Sequence, residues 1–282
     1  MQQPGANYEW LSAHLFYTGS AEQLLCNTVQ PFLKQIEQLL HSTCPYFFIR
    51  YAEEGLHLRL RLQIKSHLLQ TVKTMLEADL SGSNITIKYV PYVPETNRYG
   101  NQHTLAIAES LFHASAACSI EYITTRQPWD TSAALLAACQ MHICFFHALQ
   151  ADSKIVKKIC TRFVQAWLTN LKAPDNPSFE KLNEHLFVLY NRQAQLLQQM
   201  AITLWRQLQT ENAPTPLQNY SNTCRPLLML YKNAGLTEDS FHYALRSLLH
   251  MTNNRLGLPN KEEAWCVFIT EQCLQYIYEQ AE

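Results

Sequence analysis

Residues His57 to Arg61 read HLRLR, and the alternation there constrains the fold more than any other stretch of the chain. Leu58, Leu60 and Leu62 fall on one side of an extended backbone, and His57, Arg59 and Arg61 on the other, because side chains in a strand have a period of two. No helix accommodates that pattern with a single apolar face. The segment therefore predicts a strand of a half-covered sheet. Its polar face concentrates two guanidiniums and an imidazole in a chain holding only 22 Lys and Arg among 282 residues. Such groups repel one another unless something anionic lies among them, either a carboxylate partner or a ligand. Arg50 and Arg98 lie in the neighbouring stretches FFIRY and VPETNRYG.

Around this strand the pattern predicts further elements. Trp10–Tyr17 reads as a strand, Ala21–His41 as an amphipathic helix interrupted by Pro31, and Tyr46–Tyr51 with Leu56–Ile64 as an antiparallel hairpin across the turn Ala52–Gly55. Ser66–Asp79 is helical, and Ile85–Val90 is another strand. From about residue 102 the strand signals stop. Residues 103–121, 132–150, 153–172, 178–210, 217–234, 238–255 and 260–280 carry helical periodicity, punctuated by prolines such as Pro128, Pro174, Pro214 and Pro259. The fold class is α+β: an antiparallel sheet with helices in the N-terminal part and a helical layer in the C-terminal part. We expect a single domain over 1–282, strand-rich over 1–101 and helical over 102–282.

Several function classes are disfavoured. A net charge near −1 and a pI near 6.8 argue against broad binding to tRNA, DNA or anionic lipid. The N-terminus lacks the pattern of a signal peptide, and no stretch approaches about 18 uninterrupted apolar residues, so the expected setting is cytoplasmic without membrane insertion. Nine scattered cysteines without a CxxC read as buried reduced thiols rather than a metal or redox site. No phosphate loop, dinucleotide fingerprint, zinc signature or nucleophile elbow is present, so no cofactor and no metal are expected.

Two further motifs carry chemistry. In FHYALRSLLHMTNNRL, Arg246, His250 and Asn254 are spaced four apart and share a helix face, with Arg255 beside them. His250 is open to two readings: a buried imidazole bonded at a helix boundary, or a proton-transfer group. In VPETNRYG, Glu95 either makes a local ion pair or orients an arginine of the hairpin, leaving Arg98 for a substrate anion. Arginine suits that role because its planar fork matches two carboxylate oxygens.

At these residues the sequence resembles the C-terminal, glutamate-eliminating domain of class I lantibiotic dehydratases, found also as a free-standing protein in thiopeptide-type bacteriocin pathways. The pieces that carry the likeness are W-L-x-x-x-L-F-Y (Trp10 to Tyr17), F-F-I-R-Y with H-L-R-L-R (Phe47 to Arg61), Y-x-P-E-x-x-R-Y-G (Tyr92 to Gly100), A-E-x-L-F (Ala108 to Phe112) and L-L-H-M-x-x-N-R-L (Leu248 to Leu256). The resemblance implies removal of glutamate from glutamylated Ser or Thr of a ribosomally made precursor peptide, leaving dehydroalanine or dehydrobutyrine, a lyase step of antibiotic biosynthesis. It assigns catalysis to His250, Arg59 and Arg98. Arg61 and Glu95 support them, and Arg50, His57, Asn254 and Arg255 are candidate substrate contacts. It also implies a separate glutamylating dehydratase subunit that supplies the ester, and related dehydratases suggest a homodimer. Two departures stand out: Gly100-Asn101 where the family often has a glycine pair, and Asn253 where it often has histidine. Thiopeptide pyridine synthases, which join two dehydroalanines in a formal [4+2] cycloaddition, resemble the same domain and are the alternative. A non-catalytic subunit that binds the precursor peptide is a further one.

Overall fold

The computed structural model describes residues 7–170 and 179–280. They fall into two compact units, residues 1–95 with 115–129 and residues 96–114 with 130–282. The class is α+β, as the patterns predict.

The first unit is built on β1 (Tyr8–Phe16), β2 (Tyr46–Tyr51), β3 (His57–Lys65) and β4 (Thr86–Tyr89). They form one antiparallel sheet in the order β2-β3-β1-β4, and β2-β3 is the expected hairpin. Register is set by the alternation. Leu11, Ala13 and Leu15 stand opposite Leu62, Leu60 and Leu58, and all six are buried. Each leucine so buried is worth about 1.5–3 kcal/mol, and a slip of one residue would expose the whole set. Helices between the strands supply the rest of this core: α1 (Ala21–Leu24), α2 (Gln30–Leu40) with Phe32, Leu33 and Ile36, and α3 (Leu69–Leu80) with Val72, Leu76 and Leu80. Ser20 caps α1, its hydroxyl accepting from the Glu22 and Gln23 amides. Between α1 and α2 the chain takes a π turn, Leu25–Val29, instead of stopping. Pro31 has no N–H and its ring crowds the carbonyl four residues back, at Asn27; the wider turn absorbs that clash and the helical path continues.

The second unit is helical. It contains a 3₁₀ turn (Thr96–Tyr99), the first part of α4 (Gln102–Thr125), α5 (Thr131–Leu149), α6 (Ser153–Asn170), α7 (Phe179–Asn191), α8 (Ala194–Gln209), α9 (Thr215–Lys232), α10 (Glu238–Leu256) and α11 (Asn260–Glu279). The remainder of α4 belongs to the first unit. Helix α5 is the core element, packed on α8, α9, α10 and α11. By length and apolarity it resembles a membrane span, with mean hydropathy 1.5, but 67% of its most apolar stretch is buried inside the unit. Among the described residues no other helix is long and apolar enough to cross a membrane.

One expected helix, 178–210, is two. The chain turns at Arg192 and Gln193 with neither Gly nor Pro to mark the break. Helix α7 packs on α6 and α11, whereas α8 packs on α5 and α11, and these separate partners override a continuous run of helix formers. The ends of two other expected elements, residues 171–172 and 178, and the breakers Pro174 and Pro177, lie outside the described residues.

Candidate functional site

The polar face of the sheet gathers what the alternation promised. Across β1 and β3, Phe16 pairs with His57, His14 with Arg59 and Ser12 with Arg61; across β2, Tyr51, Ile49 and Phe47 stand opposite the same three residues of β3. Aromatic rings do much to steady the cations here. The Arg59 guanidinium lies 3.4 Å from the Tyr51 ring centroid, and that of Arg61 lies 4.4 Å from Tyr92 and 5.3 Å from Phe47. Arg59 Nε donates to His57 Nε2 (3.2 Å), so His57 carries its proton on Nδ1 and donates it to the Gly55 carbonyl (2.8 Å). His57 is thus buried behind Arg59 and aims it. Among the described residues, Arg59 has no carboxylate within ion-pair distance.

The electrostatic character of this face is visible at His14. Its imidazole is held down at about 4, first by burial and then by the positive charges near it, Arg59 foremost. It is neutral at pH 7 and stacks on His57 at 5.1 Å. Ser12 Oγ, buried beside Arg61 in register, makes no hydrogen bond within the described residues. A positive face with an unused hydroxyl is suited to an anion rich in oxygen acceptors.

Arg50 is on the other face. In register with Leu58, it pairs with Glu22 of α1 at 2.5 Å, and the Ser20 hydroxyl donates to the same carboxylate. That carboxyl is held below its ordinary range: burial alone would raise it, and Arg50 with the hydrogen bonds more than reverses the effect. Arg50 therefore ties the sheet to α1, and its guanidinium is separated from Arg59 and Arg61 by the sheet itself. Glu95 is exposed.

The second unit builds a different cluster, around His250 on α10. His250 Nδ1 lies 2.8 Å from Glu263 Oε2, a residue of the first turns of α11 that is 1% exposed. Asn253 Nδ2 donates to the same oxygen at 3.3 Å. The position where the family often has histidine thus holds an amide that serves the carboxylate. Burial pushes the Glu263 carboxyl up; the bond and charge of His250, the Asn253 bond and the Arg98 charge pull it back. Since Oε2 accepts from Asn253, the consistent tautomer places the imidazole proton on Nδ1 and leaves Nε2 as an acceptor. The Trp167 ring flanks the imidazole at 5.1 Å.

Arg98 belongs to this cluster. The 3₁₀ turn that carries it packs on α10, and its Nε donates to Ser247 Oγ at 3.1 Å. The turn is locked at Gly100, where φ is +99° and an added Cβ would come within 2.8 Å of Leu236 and Thr104. Asn101 then caps α4, its side-chain oxygen accepting from the amides of His103 (2.9 Å) and Thr104 (3.1 Å). Where the family often has a second glycine, this chain has a helix cap. Tyr231 and Thr104 hydroxyls both donate to the Tyr99 carbonyl.

Asn254 is half-buried. Arg255 is 1% exposed, with its guanidinium 5.2 Å over the Phe112 ring, inside the core. Arg246 turns to Tyr243 and to the Arg162 carbonyl of α6. Glu263, His14 and Ser12 were not singled out in the sequence. For Glu263 a signal existed: it shares the buried stripe of α11 with Cys266, Val267 and Thr270, a place where a carboxylate needs a reason. Eight of the nine cysteines are buried, and Cys26 is half-buried.

Comparison with known proteins adds the family. A family model described as "Lantibiotic biosynthesis dehydratase C-term" matches residues 10–274. No curated protein matches the chain. Among solved structures the fold is shared with the tRNA-dependent lantibiotic dehydratase MibB from Microbispora sp. 107891, at 17% identity and a TM-score of 0.65, covering 100% of this chain and 29% of that one. It is shared also with the pyridine synthase TbtD from thiomuracin biosynthesis (14%, TM-score 0.74, 96% and 99%) and with TsrL (15%, 0.71, 97% and 96%).

Proposed function

The chain belongs to the lantibiotic biosynthesis dehydratase C-terminal family, and on that premise we propose that it eliminates glutamate from glutamylated Ser or Thr of a precursor peptide. The observation that carries this reading is His250, oriented through Nδ1 by a buried carboxylate beside Arg98. A base is needed because the Cα proton of the ester-bearing residue is weakly acidic. His250 Nε2 takes that proton, the C–H electron pair becomes the Cα=Cβ bond, and the Cβ–O bond breaks with its pair leaving on the glutamate carboxylate. Cations lower the barrier by meeting the charge where it develops. Arg98, held by Ser247 in the unit that carries His250, is the group we assign to the glutamyl oxygens; the family resemblance extends that assignment to Arg59, aimed by His57 and stacked on Tyr51, with Arg61 in support. The product is dehydroalanine or dehydrobutyrine plus free glutamate. The ester itself is made by a separate tRNA-dependent glutamylating partner. No cofactor enters the scheme.

Mass spectrometry of the purified protein with the cognate peptide carrying a defined glutamyl-serine ester tests it. Loss of the glutamyl group to give dehydroalanine is the expected result, and an untouched ester sinks the reading. A second reading draws on TbtD, which this chain matches over 96% of its own length and 99% of TbtD's. In it the substrate is a peptide bearing two dehydroalanines and the product a six-membered nitrogen ring. That peptide is the companion substrate in the same experiment.

A further inference from the structure

Helices α6, α7 and α11 border a cavity of about 470 Å³, open on one side, whose lining includes Lys157, Thr161, Val164, Phe187, Phe268 and Glu271. It uses none of the residues assigned to elimination. Glu271 is only 8% exposed, yet its carboxylate is poorly served. The Thr161 hydroxyl lies 3.5 Å from each oxygen, too far for a good O–H···O bond and with one proton for two acceptors. No other hydrogen bond or ion pair reaches Glu271 among the described residues. Burial lifts this carboxyl to about 7 against the pull of Lys157. A buried carboxylate left this way is costly unless a cation or donor arrives from outside. Val164, Phe187 and Phe268 offer the apolar wall that the methylene stem of such a cation would need.

We propose that this cavity binds an alkyl-chain cation, the side chain of a lysine or arginine of the incoming peptide, with Glu271 as its counter-ion. Only the source of the cation rests on the peptide substrate proposed above; the pocket chemistry stands apart from elimination. The test is calorimetric titration of the full chain with the methylamides of N-acetyl-lysine, N-acetyl-arginine and N-acetyl-norleucine, and with butylamine. The lysine or arginine amide binds saturably and the neutral norleucine amide does not. Glu271→Gln weakens binding about tenfold or more, as loss of a charge-assisted bond should. Lys157→Gln, which removes the pocket's own cation, strengthens it, and this variant remains informative should Glu271→Gln fold poorly. Equal binding of the norleucine amide, indifference to both substitutions, or no saturable binding overturns the proposal. Butylamine binding with both acylated amides excluded overturns its peptide source. No glutamyl ester is used, so these outcomes are separable from failure of the elimination reading.

Discussion

The sheet face and the α10–α11 cluster hold charge by opposite means. On the sheet, two arginines and two histidines share one face, and rings of Tyr51, Tyr92 and Phe47 lie against the guanidiniums. Burial, with the neighbouring positive charges adding to it, depresses His14 to about 4. On α10 and α11, a single imidazole and a 1%-exposed carboxylate satisfy each other, and the carboxyl is pushed up, not down. The first arrangement is the one we assign to an anion. The second holds a proton and fixes which nitrogen carries it. If binding falls to the first and proton transfer to the second, as proposed, single substitutions should separate them.

His250→Ala should have the largest effect. Elimination is expected to fall by about 10²–10⁴ in kcat, the range for removing a general base, while affinity for the glutamylated peptide stays put. Arg59→Lys should behave differently. Lysine keeps the charge but cannot lay a planar group on Tyr51 or donate through Nε to His57, so KM rises with the fall in kcat. If Arg59→Lys left KM unchanged, the sheet face would not be the glutamyl site. Glu263→Gln comes next. Turnover should drop as the imidazole loses its orienting partner, by less than the roughly 10⁴ that the same change costs a triad carboxylate. Thermal stability should hold or rise, because an amide is cheaper to bury than a carboxylate whose pKa burial has raised. A loss of stability matching the loss of activity would make Glu263 a structural residue only.

These two regions were also unequally legible in the sequence. A strand writes its faces in consecutive residues, so HLRLR announces its cations, their shared face and their separation from Arg50 once register is known. The helical cluster is assembled from a 3₁₀ turn, α10 and α11, with Arg98 and Ser247 149 residues apart. Glu263 follows Glu262 in the first turns of α11, where acidic residues are ordinary company for the helix dipole, and that reading hides its partner. Arg255 was misleading for the reverse reason. Its neighbour in the motif is His250, but α-helical geometry turns it into the core against Phe112. Element type was readable nearly throughout. The break between α7 and α8 was not, since it depends on which helices each half packs against.

Gly100→Ala tests how firmly Arg98 is placed. The residue has φ +99°, and the new Cβ would sit 2.8 Å from two Leu236 methyls and the Thr104 hydroxyl. We expect a stability loss of about 1–3 kcal/mol in urea titration. The 3₁₀ turn should shift with it, lowering kcat while the His250–Glu263 pair persists. A variant that is destabilised but fully active would uncouple Arg98 from the chemistry.

The smallest effect is a titration, and it addresses the sheet face directly. His14 has a folded pKa of about 4 against an ordinary 6.5, so between those values the unfolded chain binds a proton that the folded chain refuses. Stability from this residue is therefore present above pH 6.5 and lost as pH falls toward 4. His14→Asn should flatten that part of the melting-temperature profile. The same group also reports on the ligand. Burial supplies the largest part of the depression and Arg59 and Arg61 add to it, so an anion bound among them should raise the His14 pKa. Free glutamate, the product of the proposed elimination, should move the His14 Cε1 resonance and shift its NMR titration upward. Chloride at equal ionic strength should do less, since it cannot bridge two guanidiniums. If saturating glutamate leaves His14 at about 4, the arginines of β3 are not where the glutamyl carboxylate is held, and the division of labour between sheet and helices fails at its first half.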